Sequence, residues 1–376
     1  MHQIFPDDVV LGVTNEGISD TLNRIKGATD KDAQYADDKA DIVFSAFDQL
    51  EPYTSMQIVV DNIATPLFIE VDGYKVFNKT GYKQALSSVG NKFIRIPKFY
   101  TKYLTDSDGQ VIGREISKYK IDNDYKYNPE FLRADGSERD YVDIGIYYSS
   151  DNIDSVAGVM PANKTRFEWS DAIRDKFKED TDFIYSTETI WTRQLLQDLF
   201  TVEFATTDSR KLFKGIATTV STGTTDVLDN YLNGYQKVGT NTQVPFKYRG
   251  LENIWAAGGP VHIHGIQFLN NQAFVSTDPE KYGATEDLIS TNLRIPNTSG
   301  VVGKLKLDKI DNNIQLTLQS VIHPYGAYKD LVFGAAGIGT RYAVVAAAVD
   351  PYGLWFLNGD ADENLEAMAR LVRRPK

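Results

Sequence analysis

Residues 1–60 carry a helical spacing of apolar side chains. Within 29–50, apolar residues recur every three or four positions, the period of an amphipathic α-helix; they are Ala33, Ala36, Ala40, Val43, Phe44 and Phe47. A shorter helical pattern covers 18–25, and Pro52 is expected to end the longer helix. A segment of this size buries little surface by itself. We therefore predict an N-terminal assembly segment, 1–60, that packs on an oligomer axis or a neighbouring chain.

After residue 56, short apolar runs replace the helical spacing and predict β-strands. Asp72-Gly73 separates two of these runs and is a preferred dipeptide of two-residue hairpin turns. Pro97 interrupts a longer run, where it indicates a sheet edge or a bulge because proline has no N–H to donate. The predicted strands are 56–62, 66–71, 74–77, 93–103, 111–121 and 141–148.

Two helices interrupt the strands in the middle of the chain. Ser170 is the expected N-cap of a helix at 171–177, and Thr187 is that of a stronger helix at 188–204. Apolar residues of the second helix form a buried stripe that is wide enough to predict packing on two sides; they are Ile190, Trp191, Leu195, Leu196, Leu199, Phe200, Val202 and Phe204. Beyond Thr207 the chain is rich in Thr, Gly, Asn and Asp, which predicts short strands and long loops.

Several short motifs follow one another in a recognisable order. They are IPKFY at 96–100, PEF at 129–131, DYVDIGIY at 140–147, IW at 190–191, LFTVEFA at 199–205, YRGLENIW at 248–255 and ARL at 369–371. This order resembles the C-type-lectin-fold tail proteins of phages and prophages. Those proteins include the formylglycine-generating-enzyme-like branch that diversity-generating retroelements use as variable proteins.

The resemblance covers about residues 60–376 and implies an α+β fold. A C-type-lectin-like domain at 61–376, with long loops in its C-terminal half, would follow the assembly segment. The resemblance also implies that a last strand, near 368–372, closes the fold and brings the two ends of the domain together.

The motif at 248–255 also has a physical interpretation. Arg249 and Glu252 are expected to pair across a turn centred on Gly250, with Asn253 capping the turn and Trp255 anchoring the core. We interpret the motif as a structural staple rather than a ligand site. Its members are Tyr248, Arg249, Gly250, Glu252, Asn253 and Trp255.

Composition narrows the possible functions. The chain has no cysteine, which excludes disulfides, thiolate metal sites and a cysteine nucleophile. The activity of the enzyme that names the branch needs cysteine, so the resemblance does not imply it. No P-loop, dinucleotide or nucleophile-elbow motif appears. We therefore expect a binding protein, not an enzyme.

Charge and tyrosine content bear on the partners. A net charge of −11 repels the phosphate backbone, so no nucleic-acid partner is expected. The chain also lacks an apolar stretch of the length that membrane insertion needs. The 21 tyrosines suit a recognition surface or simply fill strands, and both interpretations stay open.

Two groups of residues have metal-ligating chemistry. His262 and His264 share one face of a predicted strand and would suit a metal, but no third ligand lies near them in sequence. A packed or exposed strand face is the simpler interpretation. Asn358, Asp360 and Asp362 offer oxygens at alternate positions, as calcium sites do, yet turn chemistry alone explains them. We predict no cofactor or metal, with calcium as the alternative.

The resemblance implies that the contact surface comes from the last part of the chain. Carried over by position, the candidate ligand-binding residues are Arg341, Tyr342, Asp350, Tyr352, Trp355 and Asn358. Arg, Tyr and Trp are also the side chains most often found at binding hot spots. The small apolar residues of 343–349 are expected in the core.

The resemblance implies a phage virion protein from the tail, baseplate or fibre. Its lectin-like surface would attach to a host receptor, either a glycan or a protein. Tail parts follow rotational symmetry, so a homotrimer or higher ring in contact with other virion proteins is expected. A purely structural baseplate or decoration protein and a cellular retroelement variable protein remain alternatives. A depolymerase tailspike is disfavoured because no solenoid repeat is present.

Overall fold

The structure is a computed structural model that describes residues 42–43, 51–109, 111–204, 209, 215–216, 218–228, 236–237, 245–255, 257–269, 272–278, 281, 288–294, 300–310, 314–322, 332–333, 341–346, 358–360 and 365–376. The fold is α+β and mostly β, as predicted, and nearly all strand pairs are antiparallel. Among these residues, no helix combines the length and apolar character needed to cross a bilayer.

Four helices and eleven strands lie in the described residues before 205. The helices are α1 (Glu51–Thr54), α2 (Lys79–Ser87), α3 (Arg166–Phe177) and α4 (Ile190–Phe204), and a 3₁₀ turn covers Pro129–Phe131. The strands are β1 (Ile42–Val43), β2 (Gln57–Val60), β3 (Ile63–Pro66), β4 (Phe68–Val71), β5 (Tyr74–Phe77), β6 (Lys92–Pro97), β7 (Tyr100–Thr105), β8 (Val111–Ser117), β9 (Lys126–Tyr127), β10 (Tyr141–Tyr148) and β11 (Phe183–Thr187).

Twelve strands lie in the described residues beyond α4. They are β12 (Gln236–Lys237), β13 (Phe246–Tyr248), β14 (Leu251–Glu252), β15 (Val261–Leu269), β16 (Gln272–Val275), β17 (Ile289–Arg294), β18 (Gly300–Lys309), β19 (Gln315–Ile322), β20 (Val332–Phe333), β21 (Arg341–Ala346), β22 (Asn358–Asp360) and β23 (Arg370–Pro375).

The main sheet joins early strands of the chain to its last strand. Its order is β11-β23-β10-β6-β2-β3, so β23 lies inside the sheet between β11 and β10. The expected last strand is confirmed, although it runs over 370–375 rather than 368–372. Arg373 Nη1 donates to Asn62 Oδ1 at 3.1 Å, so the two ends of the fold are adjacent. The sheet also takes in 57–60, ahead of the boundary placed at 60–61.

Both faces of the main sheet are buried, which is why the apolar residues of β10 are not confined to alternate positions. Ile58, Ile94 and Val372 point into the larger core with the apolar residues of α4. Their neighbours Val59, Phe93 and Leu371 belong to a second cluster. That cluster is completed by Trp169 and Ile173 of α3. The sheet is therefore a middle layer between two helices.

Both long helices begin at threonine caps that sequence reasoning misplaced. Thr165, not Ser170, caps α3 and forms a capping box with Glu168. Ser170 instead donates its hydroxyl to Arg166 O at 3.1 Å inside the helix. For α4 the accepting side chain is Thr189, whose Oγ1 lies 3.0 Å from Thr192 N, whereas Thr187 ends β11.

The early strands follow the predicted pattern with local differences. The strand at 141–148 is confirmed, and Asp72 and Gly73 turn the hairpin at φ of 51° and 81°. The run at 93–103 is split into β6 and β7, because Pro97 ends the first of them. The run at 111–121 ends at Ser117.

The N-terminal segment lies mostly outside the described residues, including the helical pattern at 18–25. Two of its expectations are wrong where the chain is described. Ile42–Val43, placed in the helix at 29–50, form β1 and pair in parallel with β8. Both residues are β-branched, and an available strand edge outweighs their weak helical preference. Pro52 lies inside the short helix α1, where its missing N–H has no cost.

Arginines neutralise carboxylates throughout the interior. Asp143 accepts from Arg95 at 2.8 and 2.9 Å and from Arg373 at 3.0 Å, tying β6, β10 and β23 together. Burial alone would raise the pKa of Glu130, but Arg374 outweighs it and the pKa is lowered. At Asp198 burial prevails over Arg114 and raises the pKa to about 6. Buried charges persist in proteins only when paired in this way.

Candidate binding site

The C-terminal part of the chain rests on helix α4. Polar side chains on this helix donate hydrogen bonds to backbone carbonyls of three separate later segments, although their apolar neighbours form the core. The bonds run from Trp191 Nε1 to Ser276 O (2.6 Å), from Arg193 Nη1 to Ile254 O (2.7 Å) and from Gln194 Nε2 to Gln315 O (3.1 Å). All three donors are buried, so each bond spares a carbonyl from unpaired burial.

Strand β15 connects this region to the main sheet. Its Val261 forms a parallel bridge with Met368, just before β23, and its His264 forms one with Thr189 at the start of α4. β15 is also the central strand of the five-stranded sheet β17-β16-β15-β21-β22. This five-stranded sheet, hereafter the second sheet, is therefore attached next to β23 and to the start of α4. The other described strands between α4 and β23 form two three-stranded sheets.

The predicted contact residues lie partly in this second sheet. Arg341 and Tyr342 begin β21, where they pair with Leu269 and Phe268 of β15, and Asn358 begins β22 opposite Val345. The structure thus brings these three into adjacent strands, with Asn358 four positions along β21 from Arg341. Asp350, Tyr352 and Trp355 lie outside the described residues. The apolar stretch at 343–349 is described as strand up to Ala346.

The motif at 248–255 forms a tight hairpin inside the core. Tyr248 pairs with Leu251, so Arg249 and Gly250 make a two-residue turn, with φ of 50° and 81°. Asn253 Oδ1 accepts from the Phe246 amide at 2.9 Å, which confirms its capping role. Trp255 is 3% exposed and packs on Phe246 at a ring distance of 4.5 Å, as expected of an anchor.

The expected pair of Arg249 and Glu252 is wrong. Arg249 instead makes a two-pronged contact with Glu203 of α4, at 2.9 and 2.7 Å. Glu252 accepts from the amides of Gly223 and Thr225, both at 3.0 Å. The tight turn sends the two side chains to different neighbours, and those neighbours are distant in sequence. The motif is thus a junction between α4 and the loop at 218–228.

His262 and His264 share one face of β15, as predicted, with ring centroids 6.4 Å apart. Both are buried, and His262 Nε2 lies 3.0 Å from Lys164 O. Burial lowers the pKa of His262 to about 4, and the charge of Arg166 acts in the same direction. Burial, with Arg166 and His262, also lowers the pKa of His264 well below its usual value. Both imidazoles are therefore uncharged at neutral pH.

Metal-ligating side chains do not gather in the part of the chain that the structure describes: no group of three or more His, Asp or Glu could hold an ion there. Asn358 and Asp360, placed in a loop by their turn chemistry, lie instead in strand β22 paired with β21. Asp362, the third calcium candidate, is outside the described residues.

Sequence reasoning missed the donors on α4. Trp191 is predicted only as an apolar residue of the stripe, and no role is predicted for Arg193 or Gln194, which interrupt it. The available signal was their place in a helix whose apolar residues spread around more than one face. Polar side chains within such a helix are buried and need partners.

None of the models of known protein families matches this chain, and no curated protein matches it significantly.

Proposed function

We propose that this chain is a phage virion protein of the tail, baseplate or fibre, and that its C-type-lectin-like domain presents a surface for host attachment. The observation that carries the proposal is the course of the chain between α4 and β23. The described strands of that stretch form three sheets, and α4 donates a hydrogen bond to a carbonyl in or next to each of them before β23 returns to the main sheet. A contact segment on a closed scaffold is the arrangement that the resemblance implies.

Rigidity of the platform favours binding over catalysis in this proposal. Fixed backbone lowers the entropy lost when a partner is bound, so a surface anchored by buried hydrogen bonds gains affinity without moving. The buried carboxylates of the described core, such as Asp143 and Glu203, serve arginines that join strands and helices. Their role in the proposal is structural.

The proposed assembly is a homotrimer or higher ring within the virion. The N-terminal segment, 1–60, would supply the contacts between subunits and with other virion proteins. Strand β1 supports this role, because its parallel pairing with β8 attaches the segment to the domain. Rotational copies would then present several C-terminal sheets together, which raises avidity for a repeated host receptor, either a glycan or a protein.

Attachment of the purified protein to candidate host cells tests the proposal. Tyr352→Ala and Trp355→Ala are expected to weaken attachment by roughly tenfold or more, as aromatic hot spots do. Tyr119→Ala is the matched control, because this tyrosine is 65% exposed and follows β8, well before the predicted contact residues in the sequence. We expect it to bind as the unmodified protein does.

Other outcomes separate the alternatives. Attachment undiminished by either substitution would remove these residues as the contact surface. A protein that enters virions but binds no cell would be a structural baseplate or decoration protein. A neighbouring reverse-transcriptase gene with a near-copy of the C-terminal coding region would indicate a cellular retroelement variable protein.

A further inference from the structure

A cavity of about 340 Å³ opens between helix α3 and strand β11, on the side of the main sheet away from α4. Helix α3 contributes Arg174 and Phe177 to its wall, and β11 contributes Tyr185. Lys376, just after β23, and His264 of β15 complete it. This volume is at the lower end of the range for small-molecule sites in proteins.

The charged side chains that line the cavity are all basic, although the chain as a whole carries a net charge of −11. Arg174, Lys178 and Lys376 line it, and no carboxylate side chain does. Arg174 shares its charge with exposed Asp171, and Lys376 Nζ donates to Asp180 O at 2.6 Å. Lys178 forms no ion pair or hydrogen bond with the described residues. A local positive potential in an acidic protein selects for an anion.

His264 gives the cavity a buried polar group. It is 1% exposed, and its Nε2 has no hydrogen-bond partner among the described residues. The neighbouring hydroxyls are occupied, since Ser186 donates to Thr187 O at 2.7 Å and accepts from Arg374. An unpartnered buried nitrogen costs about 1–3 kcal/mol, which a ligand able to hydrogen-bond would recover.

Aromatic side chains supply the apolar wall. Phe177 and Tyr185 stack with their rings 3.8 Å apart and nearly parallel, and Phe183 meets Tyr185 edge-on at 6.2 Å. Phe177 and Tyr185 are only partly buried by these contacts. A ligand there meets both apolar surface and cationic groups.

We propose that this cavity binds a small acidic ligand, which carries a carboxylate or a phosphate on a compact body such as a sugar ring. The anionic group lies at Lys178 and Arg174, the body lies along Phe177 and Tyr185, and His264 supplies a hydrogen bond. The site shares no residue with the proposed host contact. Its failure would therefore leave the attachment proposal standing, and the reverse also holds.

Isothermal titration of the full chain tests the proposal with three probes. Glucuronate carries a carboxylate, glucose 6-phosphate carries a phosphate, and glucose carries neither. One or both acidic probes are expected to bind more tightly than glucose, by roughly tenfold or more, because charge-assisted hydrogen bonds are about twice as strong as neutral ones. The stronger acidic probe identifies the anionic group.

A charge-matched pair of variants tests the location. Arg174→Gln with Lys178→Gln is expected to weaken binding of the acidic probe by roughly tenfold and to leave weak glucose binding unchanged. Lys79→Gln with Lys83→Gln removes two exposed lysines from α2 and should bind as the unmodified chain does. All four residues are exposed, so both variants are expected to fold.

The imidazole nitrogen resonances of His264 give an independent readout that needs no substitution in the core. They are expected to shift when the acidic probe is added. Absence of binding by both acidic probes, equal weakening by the two double variants, or an unmoved His264 signal at saturation would each overturn the proposal.

Discussion

The contact between Arg249 and Glu203 offers the sharpest test of the core. Both side chains are 2% exposed, and the guanidinium makes two hydrogen bonds to the carboxylate, at 2.7 and 2.9 Å. It also lies over the ring of Tyr53, 4.3 Å from the ring centroid. The perturbation is Arg249→Met, Glu203→Met and the two together, since methionine keeps much of the length and apolar stem of either side chain.

The expected magnitudes follow from burial. Either single change leaves one unpaired charge in the core, which costs about 3–5 kcal/mol of the free energy of unfolding. The double change removes both charges and both desolvation penalties, so it is expected to be close to neutral or stabilising, by about 1–4 kcal/mol at most. Two single costs of at least about 3 kcal/mol each, against a double change that costs nothing, give a coupling energy of at least about 6 kcal/mol.

Urea denaturation at pH 7 measures the four proteins of the cycle. A second cycle, Arg249→Met with Glu252→Gln, is the control, because sequence spacing pairs Arg249 with Glu252 whereas the structure gives Glu252 other partners. Its coupling is expected to stay below about 0.5 kcal/mol, as for residues without shared contacts. A larger coupling to Glu252 than to Glu203 would refute the reasoning.

Three further outcomes are expected. Trp191→Phe loses the bond to Ser276 O and should cost at least about 1 kcal/mol, with faster hydrogen exchange at 272–278 but not in β10. The pKa of His262 is about 4 in the folded chain and about 6.5 in the unfolded chain, so the free energy of unfolding falls as the pH drops from 6.5 to 4, by up to about 3 kcal/mol. In His262→Gln, the urea midpoint should therefore fall less between pH 7 and pH 4. Gly73→Ala, at φ 81°, should lower the free energy of unfolding by about 1 kcal/mol in thermal melts, and Gly73→Asn by less, because asparagine tolerates that conformation.

Local signals gave the elements, and long-range contacts decided their partners. The strand at 141–148 and the turn at Asp72-Gly73 were predictable, because an apolar run and a turn dipeptide each act over a few residues. Helix α4 was predictable from its apolar spacing, but its cap was not. Thr187 and Thr189 are both good caps, and only the end of β11 decides between them.

Residues of the binding region were harder to place. The partner of Arg249 lies on α4, 46 residues earlier in the chain, so no local spacing could identify it. The cavity beside α3 combines Arg174, Tyr185, His264 and Lys376, which the sequence scatters over most of its length. The sequence indicates His264 only as a possible metal ligand beside His262, since burial and an unpartnered nitrogen are properties of the folded chain.

The place of β23 has a consequence for synthesis. Arg370 donates to Gly145 O across a separation of 225 residues, so a ribosome completes β10 long before its partner strand exists. Until then β10 and β11 have open backbone edges that attract other nascent chains. We expect the nascent polypeptide to depend on chaperones through most of translation, and a ribosome stalled before residue 370 to hold a protease-sensitive, aggregation-prone product.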